Sequence, residues 1–430
     1  ASVLKQLFAF VGTDALAASH AYFAKHAWGN TELDDMMREL SHASGRDLSA
    51  WSRDWLDSAG TDRLELDSSG GRFVLKATGP KGAEPRPHRL VIGVYNRDGD
   101  RLTRTRAVSV ETQGAETPVD GLGEADLLLV NDDDLTFASV RPSAGSLEAM
   151  LTEAHRLPTA IGRATAFTTA WDMLMHGDLA TAEFLRCVQT VLRSESVESL
   201  IEPAFELAVE AADMCSPDGD RDRLVSALAD LAADLAAIPA RRRVALRALA
   251  HTALSDGHFA VLAEAARDDV DLAWRTLVRR AVVREVTEAE VDALQARDPD
   301  PDSWVRALAV IAARPEATGK DAAWKAAVQE RRLPMGTMRM VGRAFWQRSQ
   351  WQLLAPYAER YLELLPVLHT HGMGVAGAVG GAMFPRTAGD EDFIERATTA
   401  AKRPEVSPIV RRIVIESCDR LRRRLRARRI

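Results

Sequence analysis

Hydrophobic residues follow three different patterns in turn along the 430 residues of the chain. Up to residue 60 they recur at helical spacing. The first apolar face consists of Val3, Leu4, Leu7, Phe8 and Val11. Thr31 followed by Asp34 predicts the start of a further helix, because a hydroxyl and an acid both stabilise the free N–H groups there. Residues 1–60 are therefore predicted to be helical.

Residues 61–142 change to short alternating runs. The sequence RFVLK at 72–76 alternates with a period of two, as a half-buried strand does. Clusters of Gly, Asp and Asn at 67–71 and 96–100 predict hairpin turns. This region is predicted to be an all-β module, a small sandwich.

Residues 143–430 return to helical spacing, in amphipathic segments separated by Pro and Gly. Thr287 and Glu290 have the spacing of a capping box. A long row of short helices without strands predicts paired helices stacked into a HEAT-like α-solenoid. The predicted fold class is thus mainly α with a small β-sandwich, and the predicted domains are residues 1–60, 61–142 and 143–430.

The composition of the chain indicates which kinds of partner and which cellular location to expect. The net charge of −7 disfavours nucleic acid as the main partner. No apolar run approaches the roughly 20 residues that span a bilayer, so no membrane partner is expected. The three cysteines form no Cys-x-x-Cys pair, which predicts a reducing, cytoplasmic location. The first residues lack the pattern of a signal peptide, and we expect them to form the middle of a helix.

Three stretches of the sequence carry a resemblance to a known family. The first is KHAWGNTELDDMMRELSHASGRDLSAWSRDWLDSAG at 25–60, and the second is LLLVNDDDLTFASVR at 127–141. The third begins with RAFWQRSQWQLLAPYAERYLELLP at 343–366 and is followed further on by AMFP and RRIVIESCDRLRRRLRAR. Together they resemble the C-terminal half of M1-family zinc aminopeptidases, of the actinobacterial aminopeptidase N type. The first is similar to the last helices of that family's catalytic domain, the second to the final hairpin of its β-sandwich, and the third to the end of a helical domain of the endoplasmic-reticulum aminopeptidase type.

The resemblance implies a helical tail of a thermolysin-like domain, then a β-sandwich, then the helical domain. It also implies removal of the N-terminal residue from peptides by a zinc site with a His-Glu-x-x-His motif. None of the ten histidines lies in such a motif, and the family's Gly-x-Met-x-Asn loop is absent. We therefore expect no catalytic residue, no metal ligand and no cofactor in this chain, which should be inactive alone. Zinc would belong to the parent enzyme.

The same resemblance implies a role for basic side chains of the helical domain. In that family the domain encloses the active-site cavity, where a guanidinium can pair with a peptide carboxylate. The candidates for a peptide cavity are Arg343, Arg348, Arg386, Tyr357, Arg420 and Arg424. The candidates for interdomain packing are Trp28, Trp51 and Trp55. Phe345 and Trp346 are adjacent, so we expect at least one of them to be exposed or at an interface.

Several other groups of residues could bind a metal or a nucleic acid, but a structural role explains each of them more simply. His369 with His371, and His251 with His258, have spacings that permit a shared metal, but structural roles are favoured. Residues 131–134 (NDDD) predict a hairpin turn rather than a calcium loop. The arginine-rich C-terminal end predicts a solvated helix face more than a nucleic-acid site.

Two classes of function remain. The first is the non-catalytic part of an aminopeptidase, whose partners would be a catalytic N-terminal half and peptide substrates. The second is a stand-alone helical-repeat scaffold that binds a protein or peptide. RNA binding is disfavoured by the acidic net charge.

Overall fold

The computed structural model of the chain describes residues 2–12, 15–69, 72–112 and 114–430, apart from the side chains at 69 and 371. The chain forms two compact units. The first runs to Met173 and also contains Arg186–Glu195, and the second comprises Leu174–Leu185 and Ser196–Ile430. The domain boundaries expected from the sequence stay a prediction.

The first unit begins with four helices around a small core. They are α1 (Ser2–Val11), α2 (Ala15–Lys25), α3 (Leu33–Ser44) and α4 (Ser49–Leu56). Leu7, Leu40 and Trp51 are among the buried residues of this core, whereas Leu4 and Phe8 are exposed. The apolar face predicted for the first helix is thus only partly covered.

The predicted start of α3 was wrong by one residue. The helix begins at Leu33, and Glu32 with Asp35 forms the capping box in place of Thr31 with Asp34. The carboxylate of Asp35 accepts a hydrogen bond from the Glu32 N–H at 3.0 Å. Thr31 instead accepts one from the Tyr22 hydroxyl at 2.8 Å.

Seven strands follow in the part of the chain that the structure describes, and they form two sheets. The strands are β1 (Arg63–Ser69), β2 (Arg72–Thr78), β3 (Arg89–Asp98), β4 (Arg101–Glu111), β5 (Glu116–Val119), β6 (Leu127–Val130) and β7 (Ser139–Arg141). The strand orders are β5-β2-β1-β7 and β4-β3-β6. Alternate residues from both sheets share one apolar core, including Leu64, Leu75 and Ile92. A small two-sheet β region is confirmed, and its sandwich geometry stays a prediction.

Two of the predicted hairpins are confirmed by antiparallel pairing. Strands β3 and β4 pair down to Asp98 and Arg101, and Gly99 between them has a φ of 60°. Strands β1 and β2 pair with Ser69 opposite Arg72. The turn residues 70 and 71 of that second hairpin lie outside the described residues.

The segment at 131–134 is a turn, but it does not form a hairpin. Strands β6 and β7 on either side of it belong to different sheets. Asn131 has a φ of 64°, and its side-chain carbonyl accepts hydrogen bonds from Leu135 N–H and Thr136 N–H at 2.9 and 3.0 Å. This amide therefore holds the chain as it crosses from one sheet to the other.

Sixteen further helices are named in the rest of the described chain. They are α5 (Ala144–Glu153), α6 (Ala160–His176), α7 (Thr181–Ser194), α8 (Glu198–Glu210), α9 (Asp218–Ala236), α10 (Arg242–Thr252), α11 (Asp256–Ala265), α12 (Val270–Val283), α13 (Glu288–Arg297), α14 (Ser303–Ala313), α15 (Ala317–Trp324), α16 (Met338–Phe345), α17 (Trp351–Leu364), α18 (Met373–Ala382), α19 (Glu391–Ala401) and α20 (Pro408–Ala427). The mainly helical fold class is confirmed. None of the described helices is long and apolar enough to cross a membrane.

Helices of the second unit contact one another in a regular order. The even-numbered helices from α8 to α20 each contact the next even-numbered helix, and α9, α11, α13, α15 and α19 contact their even-numbered neighbours. The row returns to its beginning, because α20 contacts the π-helical turn Ala211–Cys215 that follows α8. The HEAT-like character of this stacking stays a prediction.

Candidate functional site

Basic side chains from several even-numbered helices lie near two acids of the second unit, of which Asp213 is paired with Arg221 of α9. We call this group the basic cluster, and it consists of His251, Arg275, Arg279, Arg343, Arg386 and Arg424, with the acids Glu210 and Asp213. Glu210 is the last residue of α8, and its carboxylate pairs with Arg424 of α20. The same carboxylate lies 3.3 Å from Nη2 of Arg386, in the segment after α18. The Glu210 carboxylate thus forms ion pairs with both Arg386 and Arg424.

The two guanidinium groups repel each other at close range. Arg424 is only 5% exposed, and its Nη1 donates to the backbone carbonyl of Arg386 at 3.4 Å. Burial and the charge of Arg424 lower the pKa of Arg386 to about 10. Arg386 therefore remains protonated at neutral pH, and the two guanidinium groups carry more positive charge than the single carboxylate of Glu210 neutralises.

The other arginines of the basic cluster, on α12 and α16, add further positive charge to the second unit. His251 is exposed to solvent, and the neighbouring charges of Arg275, Arg343 and Arg279 lower its pKa below the ordinary value of a histidine. The histidine is therefore neutral at pH 7. Arg343 is exposed on α16, and no ion pair of the described residues involves its guanidinium. Its guanidinium remains available to an anionic ligand.

Arg348 has a structural role, because its guanidinium binds groups of the chain itself. Its guanidinium donates to the backbone carbonyls of Asp213 and Ser216 at 2.9 and 2.8 Å, and it also pairs with Asp218. Arg428 donates to the carbonyl of Met214 at 2.8 Å. These bonds satisfy carbonyls at the end of the π-helical turn, where no intrahelical donor is available.

Two predicted cavity residues lie apart from the basic cluster. The hydroxyl of Tyr357 donates to Asp321 at 2.6 Å, and its ring contacts Phe345 at a centroid distance of 5.1 Å. Arg420 is exposed on α20. The expectation for Phe345 and Trp346 was wrong: both are buried, because α16 ends at Phe345 and the chain turns before the indole.

The three tryptophans predicted for interdomain packing have different surroundings. Trp51 and Trp55 on α4 are buried and stack at a centroid distance of 6.0 Å. The indole N–H of Trp55 donates to the carbonyl of Pro87, just before β3, at 3.2 Å. Trp28 is fully exposed and has a φ of 62°. Its packing role stays a prediction.

The first unit contains a buried polar group that resembles a nucleophile–base–acid set. His88 Nε2 lies 2.9 Å from Asp62, and its Nδ1 lies 2.7 Å from the Thr136 hydroxyl. Arg86 pairs with the same aspartate at 2.6 Å. All four side chains are at most 7% exposed, so no substrate can reach the hydroxyl. The group is therefore structural, and sequence reasoning missed it because its members are far apart in the chain.

The histidine pairs considered for a metal have other partners or positions. His258 caps α11 and bonds Asp230 at 2.8 Å, while His251 lies on α10. The side chain of His371 lies outside the described residues. Among those residues, no group of three His, Cys, Asp or Glu side chains has the arrangement of a metal site. The residues present do not fit the zinc site of an aminopeptidase.

Comparison with known proteins agrees with these features. A family model described as the ERAP1-like C-terminal domain matches residues 127–423. Aminopeptidase N of Streptomyces lividans is 33% identical over 465 aligned positions, which include 99% of this chain and 54% of that relative. The chain thus spans about half the length of the curated relative. It belongs to the family of ERAP1-like C-terminal domains, and it corresponds to the C-terminal half of an M1-family aminopeptidase.

Proposed function

We propose that this chain is the non-catalytic C-terminal part of a zinc aminopeptidase that removes N-terminal residues from peptides. Its second unit would enclose the active-site cavity as a HEAT-like solenoid and restrict access to short peptides. The small sheets, as a sandwich, would connect it to the catalytic domain. Zinc, the catalytic residues and a cytoplasmic location would belong to the whole enzyme.

The basic cluster is the observation that carries this proposal. A peptide with a free C-terminus carries a carboxylate at the end opposite to its hydrolysed bond. Arg343 is exposed and forms no ion pair with the described residues, whereas Arg386 and Arg424 are held by Glu210. A guanidinium binds a carboxylate through two parallel hydrogen bonds. Arg343 would contact the peptide, and Arg386 with Arg424 would maintain a positive potential around it.

Activity of the isolated chain gives the first test. The purified chain with added zinc should leave an aminoacyl-amide fluorogenic substrate intact, because the sequence has no His-Glu-x-x-His motif and the described residues contain no group of three metal ligands. Adding the catalytic half should produce zinc-dependent turnover. Hydrolysis by the isolated chain would contradict the proposal, and so would a catalytic half whose activity and substrate range do not change when this chain is added.

A matched pair of peptides tests the basic cluster in the complete enzyme. Arg343→Gln should raise KM roughly 10- to 100-fold for a peptide with a free C-terminal carboxylate, and leave KM unchanged for the same peptide amidated at its C-terminus. The reason is that loss of one charge-assisted pair costs roughly 1.5–3 kcal/mol. Arg412→Gln, an exposed arginine paired with Glu416, is the matched control and should change neither KM. Equal effects on both peptides would refute carboxylate recognition by Arg343.

A peptide-binding scaffold is the second candidate, and an apolar groove favours it. Val328, Leu364 and Val379 are among the residues that line a cavity of about 240 Å³ in the second unit. Met335 and Met373 are exposed apolar residues in the neighbouring sequence segments. Tight binding of a peptide to the isolated chain, together with failure to associate with a catalytic half, would favour this alternative.

A further inference from the structure

An apolar cavity of the second unit has a charged residue in its lining. The cavity has a volume of about 240 Å³. Its aliphatic side chains come from the π-helical turn Lys325–Gln329, the end of α17, the 3₁₀ turn Leu368–His371 and α18. They belong to Val328, Leu364, Leu368, Val375 and Val379. The other lining residues are Gln329 and Arg331, so the cavity combines an aliphatic wall with one positive charge.

The cavity has a buried apolar end and a polar end that reaches solvent. Leu368 and Val379 are each 2% exposed, whereas Gln329 and Arg331 are exposed. An aliphatic wall favours an apolar occupant, because a water molecule finds no hydrogen-bond partner there. Since one water molecule takes up about 30 Å³ of the liquid, the cavity has room for roughly eight groups of that size, to which a methylene group is comparable.

Arg331 lines the polar end of the cavity, and no ion pair among the described residues involves its guanidinium. The adjacent acid, Glu330, pairs instead with Lys325 at 3.3 Å and with Arg332 at 3.5 Å. Arg331 also has a φ of 52°, in the left-handed region that is unfavourable for a residue with a long side chain. Residues in such conformations cluster at ligand sites. The charge and the backbone conformation of Arg331 therefore both indicate a bound anion.

Two exposed methionines lie in segments beside the cavity. Met335 is 60% exposed and Met373 is 74% exposed. A Cβ atom at Gly374, the residue before Val375, would lie 3.2 Å from the Met335 sulfur, so this thioether lies against the first turn of α18. Methionine side chains are flexible and adapt to irregular apolar surfaces. Met335 can therefore adjust to an apolar chain at the edge of the cavity.

We infer that this cavity binds an aliphatic monocarboxylate of about eight carbons, with its chain on the apolar wall and its carboxylate on Arg331. A guanidinium binds a carboxylate through two parallel hydrogen bonds and keeps its charge at any physiological pH. A second carboxylate at the far end of the ligand would be buried among aliphatic side chains without a partner, which excludes a dicarboxylate. The inference does not depend on peptide hydrolysis, because no residue of the cavity belongs to the basic cluster.

Isothermal titration calorimetry of the full chain with sodium octanoate tests this site. Hexanoate, octanamide and suberate, the dicarboxylate of the same length as octanoate, are titrated separately. Octanamide lacks the charge and should bind roughly 10- to 100-fold more weakly than octanoate. Hexanoate lacks two methylene groups and should bind roughly 15-fold more weakly. Suberate should also bind more weakly than octanoate, because its second carboxylate would enter the apolar end.

Variants of the chain separate the carboxylate contact from the apolar wall. Arg331→Gln should weaken octanoate binding roughly 10- to 100-fold and leave octanamide binding unchanged. Val375→Phe fills the cavity and should weaken the binding of both ligands. Arg332→Gln is the matched control and should bind octanoate like the wild type. Its guanidinium lies 5.0 Å from the ring centroid of Trp304 and pairs with Glu330.

Two results would overturn the inference directly. One is the absence of octanoate binding to the wild type, and the other is equal octanoate binding by the wild type and Arg331→Gln. Binding of an apolar peptide amidated at its C-terminus, without binding of octanoate, would also overturn it and would favour the peptide-binding scaffold. Circular dichroism verifies that each variant is folded before the titration.

Discussion

Lys320 places its side-chain amine in the interior of the second unit. It is 0% exposed, and its nitrogen donates to carbonyls at the ends of α14 and α16. Burial lowers its pKa to about 7. A neutral amine has two N–H groups, so deprotonation would not remove either hydrogen bond. The residue therefore exchanges its proton in the neutral range without losing its structural role.

Replacing Lys320 by Met should change how stability depends on pH. Between the folded pKa near 7 and an unfolded pKa of about 10.4, the unfolded state binds more protons than the folded state. Stability of the wild type should therefore rise with pH in this window, by up to about 1.4 kcal/mol per pH unit. Lys320→Met should lack this rise. Below pH 7 the lysine is protonated in both the folded and the unfolded state, so its contribution to the free energy of unfolding does not change with pH there.

Urea unfolding at pH 6, 7, 8 and 9 measures the difference between the two proteins. Lys325→Met, at an exposed lysine of the same helical region, is the control and should follow the wild type. Parallel curves for the wild type and Lys320→Met would show that the folded pKa of Lys320 is close to its ordinary value.

The buried group around Asp62 gives a second prediction for single residues. Asp62→Asn leaves Arg86 buried without a counter-ion and should destabilise the first unit by about 3–5 kcal/mol. Asp67→Asn breaks an exposed pair with Lys76 and should cost at most about 1 kcal/mol. Denaturant titration followed by tryptophan fluorescence reports the loss, because Trp55 contacts His88. Equal effects of the two variants would refute the importance of this buried pair.

At the scale of elements, close packing of helices requires particular glycines. A Cβ atom at Gly342 of α16 would lie well inside van der Waals contact with the Ala382 carbonyl of α18. Gly377 of α18 has open space around the same position. The two glycines thus have opposite roles, although both lie within helices.

Alanine substitutions should separate these two roles. Gly342→Ala should destabilise the second unit by about 1–3 kcal/mol, because the helices must move apart. Gly377→Ala should stabilise it by roughly 0.5–1 kcal/mol, because alanine restricts the unfolded chain and favours helix. Differential scanning calorimetry of both variants checks this. A stabilising Gly342→Ala would mean that α16 and α18 do not cross so closely.

Elements with local signals could be predicted from the sequence, and elements that depend on distant contacts could not. The capping box of Thr287 with Glu290 and the hairpin at 96–100 are confirmed, because each involves only neighbouring residues. The end of α16 at Phe345 was missed, because packing in the core fixes it. The connection from β6 to β7 was taken for a hairpin, since its sequence has turn residues but no sign of which sheet follows.

The candidate site shows the same limit. Arg343, Arg386 and Arg424 were predicted from a resemblance, whereas His251, Arg279 and Glu210 were missed. No spacing in the sequence relates these six residues, because each lies on a different helix or connection of the row. The order in which even-numbered helices contact one another is the signal that brings them together, and it is a property of the fold.

At the scale of the whole molecule, each compact unit has its own apolar core. Helix α20 supplies Val410, Val414, Leu421 and Leu425 to the core of the second unit. Deleting residues 408–430 should therefore remove cooperative unfolding of that unit and leave the two sheets intact. Hydrogen exchange measured by mass spectrometry should show fast exchange in α14–α19 and unchanged protection in β1–β4. Loss of protection in both units would show that they fold as one.

The return of α20 to the start of its helical row has a consequence for biosynthesis. The hydrogen bond between Arg428 and Met214 joins residues 214 positions apart. A ribosome delivers the N-terminal end of this row long before its last turn emerges from the exit tunnel. During that interval the row of helices is not closed by α20. The carbonyls of the π-helical turn then lack the hydrogen bonds that Arg348 and Arg428 donate in the folded chain. Closure of the second unit must therefore wait until Arg428 has left the exit tunnel, so its first helices stay without their last partner while the 214 positions between the two bonded residues are synthesised.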